Sequence, residues 1–145
     1  MLEIPFELTR CSWPRPIEHH DGRWISEPEW DAPAIPYRPQ PRWESLDGEL
    51  CWLIDWREFF RGRLKAWAPN VGGEMRGFHV VFEFDVKRTG TLLFWDDDGS
   101  IVRRNGQIVQ DDRSAHSLRR SAVAVSVGDR LQIAQCQLVS CWLWG

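Results

Sequence analysis

The residues Asp96-Asp97-Asp98-Gly99 bring more oxygen chemistry into one place than any other stretch of the chain. Hard cations such as Ca²⁺ take several oxygen ligands, and neighbouring carboxylates on a turn can supply more than one of them. Along a strand adjacent side chains point to opposite faces, so two Asp residues act together only where the backbone turns. Gly99 provides that turn. Asp97 and Asp98 are therefore candidate metal ligands. Trp95, Asp96, Asp97, Asp98 and Asn105 form a candidate ligand-binding set in which carboxylates hold hydroxyls and the indole stacks on a ring. The competing reading is a solvated turn, because Asp favours turns by bonding its own backbone. An EF-hand loop is excluded, since its spaced acidic ligands and closing Glu are missing.

Histidines offer a second chemistry. His79 and Glu83 lie two same-side positions apart on a strand pattern, an acid/base pair in principle and a solvated or hydrogen-bonded face otherwise. His116 shares a polar loop with Asp111 and Asp112 and can join either a ligand site or a catalytic set of His79, Glu83 and His116. His19-His20-Asp21 carries potential metal ligands, but a Pro-rich arm more simply turns a His pair to solvent. Trp24, Trp30 and Trp43 can line a platform or pack the arm down onto a sheet. The chain has no Gly-x-Ser-x-Gly elbow, phosphate loop or dinucleotide fingerprint.

The elements that must position these groups are mostly strands. Met1 to Trp43 holds eight of the nine prolines, which rules out a helix or a central strand there. Its four tryptophans are too many for a disordered linker. The stretch reads as an extended arm, residues 1–45, packed on a single domain of 1–145. Gly48 to Ala68 is ambiguous; the preferred reading is a strand through Cys51–Asp55 and a short helix or turn at Trp56–Arg61, then a Gly-rich loop to Gly77. Beyond it the pattern is clean. Phe78, Val80, Phe82, Phe84 and Val86 alternate with His79, Val81, Glu83 and Asp85, as a strand buried on one side requires. Thr91–Trp95 leads into the acidic turn, Ile101–Arg104 leads out, and Asn105-Gly106 is a hairpin signal because both residues tolerate positive φ. Asp111 to Arg120 reads as a loop, "SAVAVSV" as a strand, Gly128-Asp129 as a turn and "RLQIAQCQLVSCWLW" as a last long strand. Roughly six to eight short strands with almost no helix predict an all-β fold, an antiparallel β-sandwich or jelly roll.

The string Asp97-Asp98-Gly99, five residues, then Asn105-Gly106 resembles the core motif of protective-antigen-type domains within the broader galactose-binding-like sandwiches. His116, the strand Val123–Val127 and Gly128 match the His-containing loop, apolar strand and Gly-containing turn that complete the motif. The resemblance covers about 50 of the 145 residues. It implies a lectin-like β-sandwich accompanying sugar-processing enzymes or adhesins, many of which bind carbohydrate. In the calcium-dependent members an Asp-Asp pair holds Ca²⁺, which then binds sugar hydroxyls; carried over, the pair is Asp97 and Asp98, or Asp96 and Asp97.

Composition limits the alternatives. A net charge of -3 gives no basic face for nucleic acid. Arg103-Arg104 and Arg119-Arg120 each place only one Arg on a given strand face, so they read as solvated. No apolar run approaches ~20 residues and no signal-like start is present, so no membrane partner and a cytoplasmic location are expected. The four cysteines lack a Cys-x-x-Cys pair and read as buried thiols in a reducing compartment. Ten tryptophans against one tyrosine suit a core, an interface or a sugar platform. The leading expectation is a carbohydrate-binding or accessory module with no cofactor or with Ca²⁺, working with a fused or partner enzyme domain and able to form homo-oligomers. A small β-barrel enzyme using the His and carboxylate set, and a pure interaction module, are the alternatives.

Overall fold

The computed structural model describes residues 6–21, 23–36, 42–46, 49–53, 64–68, 77–96, 98–113 and 119–138. Its strands are β1 (Phe6–Cys11), β2 (Arg15–Pro16), β3 (His19–His20), β4 (Arg23–Trp24), β5 (Arg42–Leu46), β6 (Glu49–Leu53), β7 (Gly77–Val86), β8 (Gly90–Asp96), β9 (Ser100–Arg104), β10 (Gln107–Asp112), β11 (Arg119–Val125) and β12 (Arg130–Leu138). A single helical turn, α1 (Lys65–Trp67), is the only helix among the described residues. One sheet runs β1-β7-β12-β9-β10, with β2 also paired to β7; a second runs β11-β8-β6-β5; β3 and β4 form a small hairpin. Every pairing among the described strands is antiparallel except β6 with β8. The fold is thus all-β and mostly antiparallel. No helix among the described residues is long and apolar enough to cross a membrane.

The alternation read from the sequence sets the core. Phe78, Val80, Phe82, Phe84 and Val86 from β7 join Leu131 and Ile133 from β12 and Val102 from β9. Leu92 and Phe94 from β8, with Val123 and Val125 from β11, belong to the same apolar cluster. Burying each such side chain contributes about 1.5–3 kcal/mol. Two polar contacts also tie the sheets: Arg104 Nη1 donates to the Ala124 carbonyl at 2.8 Å, and Gln110 Nε2 donates to Ser121 Oγ at 2.8 Å. The hairpin between β9 and β10 has Asn105 at φ 52° and Gly106 at φ 84°, the double positive φ of a type I′ turn.

The other face of β7 differs from its expected solvated state. His79 and Val81 are wholly buried there, and Val81 forms with Trp24, Ile101, Ala134 and Cys136 a second apolar cluster to which Ile17 and Trp30 add partial cover. Only Glu83 and Asp85, further along, are half-buried. The cause is the N-terminal segment: Trp24 stacks on the His79 ring and the Glu29 turn bonds it, while the backbone of the segment pairs along the edge of β7. Ser12 N donates to the Val81 carbonyl at 2.9 Å and Val81 N returns a bond to Ser12 Oγ at 2.8 Å. Ile17 N donates to the Gly77 carbonyl at 3.2 Å.

That segment is also more regular than the plain extended arm expected. Phe6–Cys11 is an edge strand beside β7, possible because its run contains no proline. Arg42–Leu46 pairs with β6 in the second sheet. The strand expected over Cys51–Asp55 appears as Glu49–Leu53. Asp111, Asp112, Arg119 and Arg120, expected in a loop, lie in β10 and β11. The expected helix or turn at Trp56–Arg61, and the end of the last strand beyond Leu138, lie outside the described residues.

Candidate functional site

The acidic turn connects β8 to β9. The backbones of Trp95 and Asp96 sit in β8 opposite Arg120 and Arg119. Asp97 and His116 lie outside the described residues. Asp98 is only 2% exposed and is engaged by the surrounding protein, so it does not belong to a well-solvated turn. Gly99 has φ +106°, and a Cβ there would stand 2.8 Å from the Asp112 carbonyl oxygen. No side chain fits.

Asn105 does not converge with these groups. It lies beyond the far end of β9, and the four residue steps from Ser100 to Arg104 span about 13 Å. Its amide is committed to the turn before β12: Nδ2 donates to Asp129 Oδ1 at 2.9 Å, and Oδ1 accepts from Arg130 N at 2.9 Å. The backbone amide of Ser126 and the Asn105 amide both hold the Asp129 carboxyl below its ordinary range. Asn105 therefore serves as a hairpin residue and inter-turn clamp.

His79 and Glu83 share a face but not a contact. Four residue steps along a strand separate them by about 13 Å, with buried Val81 between. Glu83 instead accepts from Arg10 Nη1 at 3.3 Å and Gln132 Nε2 at 2.7 Å. His79 Nε2 accepts from the Glu29 backbone N–H at 2.9 Å, and its ring stacks on Trp24 at 5.3 Å. Burial pushes the His79 pKa down to about 4, against a rise from nearby Glu29 and with a further lowering from Arg15. The ring is neutral at pH 7. With Nε2 accepting, its proton sits on Nδ1, which is buried with no hydrogen-bond partner among the described residues. The alternative acid/base pairing of His79 with Glu83 is not formed; His79 is buried and hydrogen-bonded, and it anchors the Glu29 turn.

His19 and His20 are exposed on the β3–β4 hairpin, with His20 Nε2 3.3 Å from Asp21 Oδ2. Among the described residues no group of three or more His, Cys, Asp or Glu side chains is placed to hold a metal. Cys11 and Cys136 are buried thiols, and burial pushes the Cys11 thiol far above its usual range.

The turn that His79 anchors builds a different site. Arg15, Pro28, Glu29, Trp30, Asp31, Ala32, Pro33 and Arg103 line an open cleft of about 570 Å³. Arg15 grips Glu29 with two bonds, Nε to Oε2 at 2.8 Å and Nη2 to Oε1 at 3.2 Å, and this holds the Glu29 carboxyl below its ordinary range. Arg103 lays its guanidinium over the Trp30 ring, 4.7 Å from the centroid. Arg10 Nη2 donates to the Ala32 carbonyl and fixes the far side of the turn. Nearby, Trp24 Nε1 donates to Ser26 Oγ at 2.9 Å. Arg113 binds the Ser26 carbonyl and Glu27, linking this segment to the end of β10.

A cleft of this make-up brings a joined Arg15–Glu29 pair, the Asp31 carboxylate and the Arg103–Trp30 stack into one volume. Trp30 is among the aromatics that the sequence offers for a platform; Arg15, Glu29 and Arg103 carry no such signal. Alternation alone assigns Arg103 to a solvated face, because it gives a face without saying what covers it. The register Arg103↔Gln132↔Glu83 puts it on the same face as Val81 and His79. Comparison with protein-family models, curated proteins and solved structures found no match.

Proposed function

We propose that this chain is a two-sheet β-sandwich whose function is recognition, binding a hydroxyl-rich ligand, a carbohydrate, in the Trp30 cleft. The observation that carries the reading is the convergence of Arg15, Glu29, Asp31 and Arg103 around Trp30 in one open volume of about 570 Å³. Small-ligand sites typically occupy roughly 300–1,000 Å³. Sugar hydroxyls both donate and accept, so they are served by forked guanidinium donors beside carboxylate acceptors. The Trp30 ring carries the Arg103 guanidinium on one face, so it offers a sugar's C–H groups the apolar surface left beside that stack. The apolar cluster drawn from both sheets supports the sandwich. In this reading the acidic turn shapes the scaffold, and the chain is an accessory module to a sugar-processing protein.

Calorimetric titration of the full chain with a panel of neutral and acidic oligosaccharides, with and without a chelator, tests the proposal. Binding that Trp30→Ala abolishes, and that the chelator and Asp97→Ala leave intact, is the expected result. Binding lost in Asp97→Ala but kept in Trp30→Ala moves the site to the acidic turn. An absence of binding across the panel removes carbohydrate recognition.

A further inference from the structure

The guanidinium groups around the cleft are unequally matched. Arg10 meets Glu83 at 3.3 Å, Arg15 holds Glu29 at 2.8 Å, and Arg113 lies 2.9 Å from Asp111 and 3.2 Å from Glu27. Arg103 has no carboxylate in ion-pair reach among the described residues; its guanidinium rests on the Trp30 ring. Its Nε is buried and bonded to nothing among the described residues. Buried donors without acceptors are uncommon in native proteins.

The sheet explains how this arises. One cross-strand row runs Arg10, Glu83, Gln132, Arg103, Ile108. Glu83 accepts from both Arg10 and Gln132, which commits the row's single carboxylate before the row reaches Arg103. Arginine cannot shed its charge, so the mismatch persists at every working pH. Arg103 lines the cleft, and stacking on Trp30 holds its guanidinium plane there; a planar, charged guanidinium is matched by a planar oxyanion.

We propose that the ligand of this cleft is an acidic sugar, and that Arg103 receives its carboxylate. The inference rests on the carbohydrate reading above and adds the charge of the ligand. A uronate suits the site better than a phosphate ester. Its carboxylate is planar and singly charged, whereas a dianion would meet stronger repulsion from Glu29 and Asp31 on the cleft wall.

The test is calorimetry on the full chain with a galacturonic acid trisaccharide, its methyl ester and the matching neutral galactose trisaccharide, plus a sulfated galactose trisaccharide. The acid should bind about tenfold or more tightly than its ester, and the gap should narrow as salt is raised. Arg103→Gln should erase the acid-over-ester preference, read as the ratio of the two affinities within that variant, and Arg103→Lys should recover only part of it, having charge without the fork. Acid and ester binding equally in the unaltered chain would overturn the anion proposal and leave sugar recognition standing. A preference that survives Arg103→Gln would also overturn it, by placing the carboxylate elsewhere. Preference for the sulfated sugar over the uronate would refute the carboxylate assignment. If none of the four binds, the acidic-sugar proposal fails, while the wider panel of neutral and acidic oligosaccharides decides the carbohydrate reading separately. The acid–ester comparison needs no variant, so a misfolded Arg103→Gln cannot obscure the outcome.

Discussion

At the scale of single residues, His79 and Gly99 give the sharpest expectations. His79 has an ordinary pKa of 6.5 and a folded value near 4 because burial disfavours its charged form. The unfolded chain therefore takes up the proton first as pH falls. This group's contribution is fully present above about pH 7, declines as pH drops from 6.5 towards 4, and changes no further below that. The total is about 3 kcal/mol. Urea unfolding across this window should show the loss. In His79→Gln, whose amide oxygen can still accept from the Glu29 N–H, that component should vanish; an unchanged profile would assign the acid sensitivity to other groups. Gly99→Ala should cost about 2 kcal/mol or more, combining a positive φ with a Cβ 2.8 Å from the Asp112 oxygen. Gly128→Ala, also at positive φ (+90°) but with open space around it, should cost about 1 kcal/mol. Equal losses would mean that the Asp112 contact relaxes freely.

Elements repeat this contrast between local and distant causes. The Asn105-Gly106 hairpin and the apolar side of β7 are legible in the sequence because each is decided by residues adjacent in the chain. Phe6–Cys11 is hidden as a strand since the prolines around it dominate the composition of the whole stretch. Burial of His79 is illegible for another reason: its cover comes from Trp24 and the Glu29 turn, far earlier in the chain. The candidate site divides the same way. Trp30 is visible as an aromatic, but the value of Arg103 depends on which row of the sheet its register selects. The connection between the N-terminal segment and β10 rests on Arg113, whose side chain is 12% exposed and spans Asp111, Glu27 and the Ser26 carbonyl. Glu27 and Asp111 are exposed enough that their charges contribute little, so the part-buried bond to Ser26 should dominate. Arg113→Ala should destabilise by about 1–3 kcal/mol and speed proteolytic cutting within 23–36. Cutting at an unchanged rate would show that the segment is held without the Arg113 side chain.

For the whole molecule, the governing feature is that the middle of the larger sheet, at β7, β12 and β9, is covered on both faces. One face shares its core with the second sheet, and the other is closed by a segment that has few strand bonds of its own. Within that segment Trp24 is 1% exposed and packed with Val81, Ile101, Ala134 and Cys136. The segment also carries the cleft, so core and site depend on one another. Trp24→Ala should cost about 3–5 kcal/mol through lost burial and the cavity left behind. The same substitution uncovers the His79 ring, against which the indole stacks at 5.3 Å with planes 22° apart. Water admitted there weakens the desolvation that lowers the histidine pKa. NMR titration of the folded variant should thus place His79 well above 4, moving towards 6.5, and sugar affinity should fall although Trp24 does not line the cleft. A variant that loses stability while His79 keeps its low pKa would show that Ser12, Ile17 and the Glu29 turn close this face without Trp24. The cleft would then be rigid independently of the second core.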